Sequence, residues 1–369
     1  MRILAVDIGT GTQDILLFDS SQPIENAFQL IMPSPTMIAA ARIKRATAAS
    51  RAVALSGTIA GGGPCHWALE DHLKAGFPAY ATREAAMTFD DDLDLVEEMG
   101  VTLVSEAEIA RTEADPVTLR DLDLAAIRSA LAAFDVPGDF DGLALGCLDH
   151  GAAPPGYSDR LFRFDHLRRV VEQRNDLRAF ACLSGEVPEY LTRALSVLAC
   201  ADTGVPTVFL DTGPAAALGA LQDPAVGECG EQLVLNLGNM HALCFHLRGT
   251  QIVSLYEHHT GEVTREQIED FTERLVEGTL PHEDVFGSKG HGVYYVGENS
   301  EQGTQNRMVA VTGPQRGKLR ESRLDPYFAV PHGDMMMSGC FGLLWAFAEK
   351  YPEHAGDILP ALGIEAVYR

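Results

Sequence analysis

No Cys-x-x-Cys pair occurs in the chain; its seven cysteines, at 65, 147, 182, 200, 229, 244 and 340, fall singly. That spacing excludes the usual zinc-ribbon and radical iron–sulfur motifs, and an odd, unpatterned set fits reduced thiols. No apolar run reaches the roughly 18 residues that a membrane-spanning helix needs. Arg2 is followed by a short apolar stretch that Asp7 interrupts, so no secretory signal is read and a cytoplasmic location is expected. Basic residues are scarce, with 28 Lys and Arg against 52 Asp and Glu and a net charge of −24. So acidic a surface repels nucleic acid and anionic membrane, and neither is expected as a partner. A nucleotide is not excluded, because a glycine loop binds phosphate through backbone N–H groups and a metal ion.

What is present is ordinary globular material: 369 residues, 46% hydrophobic and 22% charged, enough for two domains with a large core. The chain opens as strand, tight turn and strand, with Ile3 to Ile8, then Gly9-Thr10-Gly11-Thr12, then Asp14 to Phe18. A third strand is read near Phe28 to Met32 and a helix from Thr36 to Ser50. A small α/β insertion follows near residues 50–105, including the turn Gly61-Gly62-Gly63-Pro64-Cys65. Leu119 to Phe134 reads as an amphipathic helix, Gly142 to Cys147 as a strand, Arg178 to Leu183 as another, and Pro206 to Asp211 as a third. Helices are expected over Pro188 to Ala201 and Ala215 to Leu221. Alternating strands and helices imply a parallel or mixed sheet covered on both faces.

Near residue 232 the opening pattern restarts. Gln232 to Leu237, His241 to Leu247 and Gln251 to Tyr256 read as three strands, with Gly238-Asn239 as the first turn. Thr264 followed by Gln267 forms a capping box before a helix to Glu277. His291 to Val296 and Met308 to Thr312 read as strands and Met335 to Glu349 as a closing helix. The restart indicates a structural duplication, with domains over 1–225 and 226–369.

The segment Asp7-Ile8-Gly9-Thr10-Gly11-Thr12 lets the backbone approach a phosphate, offers two hydroxyls, and places a carboxylate where a hard cation such as Mg²⁺ binds. With Phe18-Asp19 after it, this segment resembles the first phosphate loop of the sugar kinase, heat-shock chaperone and actin superfamily. Four more segments resemble that superfamily in the same order. They are Leu210-Asp211-Thr212-Gly213-Pro214-Ala215-Ala216-Ala217, the second loop Asn236-Leu237-Gly238-Asn239, the adenosine loop Thr312-Gly313-Pro314, and the small-residue helix Ser338-Gly339-Cys340-Phe341-Gly342.

The resemblance implies two ribonuclease-H-like α/β domains, the actin-like ATPase fold, with a nucleotide cleft between them and ATP and Mg²⁺ as cofactors. It implies that Asp7, Gly9, Thr10, Gly11, Thr12, Asn236, Gly238, Asn239, Gly313 and Gly339 hold the nucleotide, with Asp7 on Mg²⁺ and Asp211 as general base. The second loop departs from the pattern, since Asn236 stands where an aspartate is usual and cannot replace a carboxylate as cation ligand or proton acceptor. Ala60-Gly61-Gly62-Gly63-Pro64, Leu148-Asp149-His150-Gly151 and Glu257-His258-His259-Thr260-Gly261 more closely resemble a family labelled as pyruvate-formate-lyase-activating enzymes. That activation requires a cysteine-ligated iron–sulfur cluster, for which these cysteines supply no motif.

By resemblance Asp149 and His150 face a small-molecule substrate, and Gly62 and Gly63 with His258 and His259 are further candidates. Gly61 to Pro64 with Cys65 reads as a plain strand–helix turn, as a backbone nest for an anionic ligand, or as a helix start that makes Cys65 a reactive thiol. His258 and His259, adjacent on a strand, must face opposite sides. The leading expectation is an ATP- and Mg²⁺-dependent phosphotransferase or ATPase acting on a small molecule. The alternatives are a nucleotide- or metabolite-binding sensor without turnover, and a metal-dependent enzyme using His258, His259 and His291 with Glu257 or His282.

Overall fold

The computed structural model describes residues 1–201, 203–297 and 307–364. The first three strands, β1 (Arg2–Ile8), β2 (Thr12–Asp19) and β3 (Phe28–Pro33), form an antiparallel meander. Four short strands follow in a separate parallel sheet: β4 (Val53–Gly57), β5 (Ala79–Ala81), β6 (Val101–Leu103) and β7 (Asp115–Leu119), in the order β6-β5-β4-β7. The inserted unit therefore reaches Leu119, and the helix expected from there starts only at Leu124, after the strand β7. Its core is small and alanine-rich, closed by Ile43, Leu55, Leu69 and Val96.

The chain then returns to the first sheet with β8 (Gly142–Cys147), β9 (Cys182–Leu183) and β10 (Thr207–Leu210). β8 is parallel to β1 and β10 is parallel to β8, giving the order β3-β2-β1-β8-β10-β9. Only Cys182–Leu183 of the strand expected from Arg178 pairs, because residues 177–180 coil into a 3₁₀ turn.

The second large sheet contains β11 (Gln232–Leu237), β12 (His241–Arg248), β13 (Gln251–His259), β14 (Gly292–Tyr295), β15 (Met308–Thr312) and β16 (Tyr327–Phe328). β11 to β13 form an antiparallel meander, and β15 runs parallel to β11. The order β13-β12-β11-β15-β16 repeats β3-β2-β1-β8-β10, strand for strand, so the duplicated opening pattern is a duplicated sheet topology. The capping box forms as the sequence specifies: Gln267 N–H donates to the Thr264 hydroxyl and Thr264 N–H to the Gln267 side chain. That fixes the start of the helix Arg265–Glu277, whose Ile268, Phe271 and Leu275 close one face of the second sheet.

The helices Thr212–Ala220 and Ser338–Lys350 cross in the middle of the molecule, and the second also packs on β1, β8 and β10. They approach so closely that a Cβ on Gly342 would sit 1.9 Å from the Ala215 carbonyl oxygen. Every residue from Ser338 to Ala348 is buried. Removing one of these rings, such as Phe341, costs about 3–5 kcal/mol by cavity formation. Among the described residues no helix is long and apolar enough to cross a membrane.

Candidate functional site

The turn between β1 and β2 is closed by Gly9 N–H donating to the Thr12 carbonyl at 3.0 Å. Ser34 braces it, its hydroxyl donating to Thr10 O and its N–H to Gly11 O, while the same hydroxyl accepts from Met37 N–H and caps the next helix. Asp7 and Asp14 are register partners at the mouth of this hairpin, and both are buried. Asp7 Oδ1 accepts from the Thr212 hydroxyl at 2.8 Å. Asp14 Oδ1 has no hydrogen-bond partner. Burial pushes the Asp7 carboxyl up to about 7, against the Thr212 bond that lowers it. Burial, helped by the charge of Asp7, pushes Asp14 up to about 8. Gly339 faces Asp7, and a Cβ there would stand 1.9 Å from Asp7 Oδ2.

The second hairpin turns where Gly238 N–H donates to His241 O at 2.9 Å. Asn236 lies beside Thr312 on β15, and the Gln315 amide donates to Asn239 Oδ1 at 3.2 Å. Asp7, Gly9, Thr10, Thr12, Asn236, Gly238, Asn239, Gly313 and Gly339 all line one cleft between the two hairpins. Gly11 closes it by touching Asn239. The space left is about 70 Å³. That is well below the roughly 300 Å³ of a small-molecule pocket.

Asp211 follows β10 and caps the next helix by accepting from Gly213 N–H at 3.0 Å. Both its oxygens are also held by Arg163, with Nη1 on Oδ2 and Nη2 on Oδ1 at 3.0 Å. The same guanidinium reaches Glu257 Oε2 from Nε at 3.3 Å. Arg163 and Glu257 are fully buried, so three charges form one closed group. Burial alone would raise the Glu257 carboxyl, but Arg163 and the neighbouring histidines hold it well below the usual range. Arg163 and Gly213 N–H thus take three of the roughly four lone-pair sites of Asp211 and hold it in a fixed orientation.

Asp149 accepts from Gly151 N–H at 2.8 Å and from Ala194 N–H at 2.9 Å, which ties its turn to a helix start. Gly62 and Gly63 lie beside the first hairpin, with a Cβ on Gly63 falling 3.5 Å from Thr10 Cγ2. Cys65 is fully buried and donates to Gly61 O, and burial pushes its thiol up to about 11. This overturns the reactive-thiol expectation, because desolvation outweighs the helix start.

The alternation of His258 and His259 is as expected. His258 turns away to the Ser288 hydroxyl at 3.2 Å and the ring of Phe271, which removes it from any shared site. His259 turns the other way, its ring centre 4.9 Å from His241 and 4.6 Å from His291. His150, after β8, completes the group at 5.0 Å from His241 and 5.6 Å from His291. Burial lowers the basicity of His150 and His291 strongly and brings His259 down to about 4, so all three are neutral at physiological pH.

Arg163, Asp14 and His241 are the members that the sequence reading assigned no role. Arg163 lies next to the buried stripe Phe164, Leu167 and Val171 of the helix Asp159–Gln173, the one signal that it points inward.

Two sheets of one topology, joined by crossing helices with a glycine hairpin on each side of the cleft, define an actin-like ATPase fold. Within it the chain belongs to the family described as "Putative pyruvate format-lyase activating enzyme (DUF1786)", whose profile matches residues 60–318. No curated protein matches the sequence. Among solved structures, one described as "a putative N-acetylmannosamine kinase" from Listeria monocytogenes is similar at 10% identity and TM-score 0.36, covering 95% of this chain and 100% of that one. An Aquifex aeolicus member of the Ppx/GppA protein family is similar at 11% identity and TM-score 0.27, covering 95% of this chain and 91% of that one. A ROK hexokinase from Thermus thermophilus is similar at 13% identity and TM-score 0.24, covering 69% of this chain and 48% of that one.

Proposed function

We propose that this chain is an ATP- and Mg²⁺-dependent phosphotransferase or ATPase acting on a small molecule, with the division between its two halves near residue 225. The observation that carries the reading is the buried pair Asp7 and Asp14 at the meeting of the two hairpins, with Asp14 Oδ1 unpartnered. A buried carboxylate oxygen without a donor is costly. An oxygen-preferring dication suits that pair. Asp7 and Asp14 would hold Mg²⁺, which when bound neutralises charge on phosphate oxygens. Thr212 orients Asp7 through its hydroxyl, and Gly339 leaves room for the carboxylate. Thr10 and Thr12 offer hydroxyls from one side of the cleft, and Asn236 and Asn239 offer amides from the other. Phosphoryl transfer rests mainly on positioning and charge neutralisation, so Asp211 contributes by fixing Arg163 and the start of its helix.

The cleft must open to admit a nucleotide, and closing over it would exclude water. The test is calorimetric titration with ATP, ADP and Mg²⁺ beside a phosphate-release assay. Binding that is lost in Asp7→Asn supports the reading, and no binding of either nucleotide sinks it.

A second reading, a nucleotide- or metabolite-binding sensor without turnover, is favoured by one observation: Asn236 puts an amide on the second hairpin where a carboxylate would serve as ligand or base. Binding without phosphate release would select it. Activation of pyruvate formate-lyase, the activity in the family's description, is not supported by these donors. All seven cysteines are free and none belongs to a ligand cluster among the described residues.

A further inference from the structure

The histidines on the other side of the Arg163 group are unexplained by a nucleotide cleft. One ligand nitrogen from each of His150, His241 and His291 can be chosen so that all three lie within 4.8 Å of one another. His291 has no exposed surface, and neither of its ring nitrogens has a hydrogen-bond partner. Leaving a buried polar atom unpaired is costly, so a ring with two such atoms indicates a missing partner.

The surroundings specify the partner. Glu257 Oε1 has no hydrogen bond either and stands 3.3 Å from His241 Nδ1. A carboxylate behind a histidine is the arrangement that orients a metal-bound imidazole through its second nitrogen. Asp211, Arg163 and Glu257 together carry one negative charge in excess, which favours a cation beside them and offsets half the charge of a dication. Imidazole nitrogens select zinc, copper, iron or nickel, whereas Mg²⁺ takes the oxygens of Asp7 and Asp14.

We propose that His150, His241 and His291 form a binding site for one borderline transition-metal dication, with zinc the first candidate, separate from the nucleotide cleft. His150 follows β8 of the first sheet, while His241 begins β12 and His291 precedes β14 of the second. The ion would therefore pin the two halves together. Three nitrogen ligands leave a tetrahedral ion one position for water or a substrate oxygen. The proposal does not rest on the nucleotide reading and survives its failure.

The experiment is metal analysis of the full chain after chelator dialysis and titration with Zn²⁺, and separately with Co²⁺ followed by visible absorption. One equivalent per chain with the intense bands of a four-coordinate cobalt site is expected. His150→Gln and His291→Ala should each weaken binding by more than the roughly 10–100-fold that loss of an outer-shell partner costs. His66→Gln, on a surface helix, should leave it unchanged. His150 is only partly buried, so His150→Gln tests the site even where His291→Ala fails to fold. Uptake well below one equivalent, or His150→Gln binding Zn²⁺ as tightly as the parent protein, overturns the proposal.

Discussion

Gly11 of the first hairpin lies against Asn239 of the second, so closely that a Cβ on Gly11 would fall 2.2 Å from the Asn239 side-chain nitrogen. The two loops that would hold a nucleotide are in contact. Gly11→Ala should press on the Asn239 amide, which the Gln315 bond to its Oδ1 braces, and so hold the loops apart. The expected result is nucleotide binding within a few-fold of the parent, with turnover lowered about 10-fold or more through incomplete closure. Calorimetry and phosphate release on the same preparation check it.

The carboxyl pair makes a pH prediction whose sign is unusual for aspartates. Both are raised above their ordinary 3.8, to about 7 for Asp7 and about 8 for Asp14. The folded chain therefore holds protons that the unfolded chain has released. The stability tied to them is fully present below the ordinary value and is lost as pH rises through the folded values. Thermal melts without Mg²⁺ should show this loss between about pH 4 and 8, on the order of several kcal/mol for the pair. Added Mg²⁺ should stabilise more at the alkaline end, where both groups are ionised. Asp14→Asn should flatten the profile.

Arg163 is a test of the buried charge group. Arg163→Met keeps the bulk but leaves Asp211 and Glu257 buried without their cation. Breaking such a group costs about 3–5 kcal/mol. Denaturant melts should show that loss, with partial recovery when Asp211→Asn is added. A loss below about 1 kcal/mol would mean that the group is not closed.

Cys65 gives a chemical check. With no exposed surface and a thiol pushed up to about 11, it should resist alkylation at mildly alkaline pH while the protein is folded. Peptide mass spectrometry after alkylation, native against denatured, reads this directly.

Much of the fold was legible because its determinants are local. The strand–turn–strand openings at Ile3 and Gln232, the box at Thr264 and the opposed faces of His258 and His259 all follow from neighbours within four residues. The stretch 115–134 was misread because Leu119 ends a short buried strand, and helix periodicity resumes only after Asp123. The cleft between the hairpins was legible, where a motif keeps Asp7, Gly9 and Thr10 together. The charge group was not, since Arg163 finds its partners 48 and 94 positions along the chain. Such pairings have no periodicity to betray them.

The helix Asp159–Gln173 supplies Arg163 to Glu257 and Arg160 to the carbonyls of Phe286 and Gly290, so it moors the first sheet to the second at a place apart from the crossing helices. Bodies held at several places move relative to one another only along paths that keep those contacts, so each mooring narrows the travel of the cleft. Severing the Arg160 and Arg163 contacts would widen that travel.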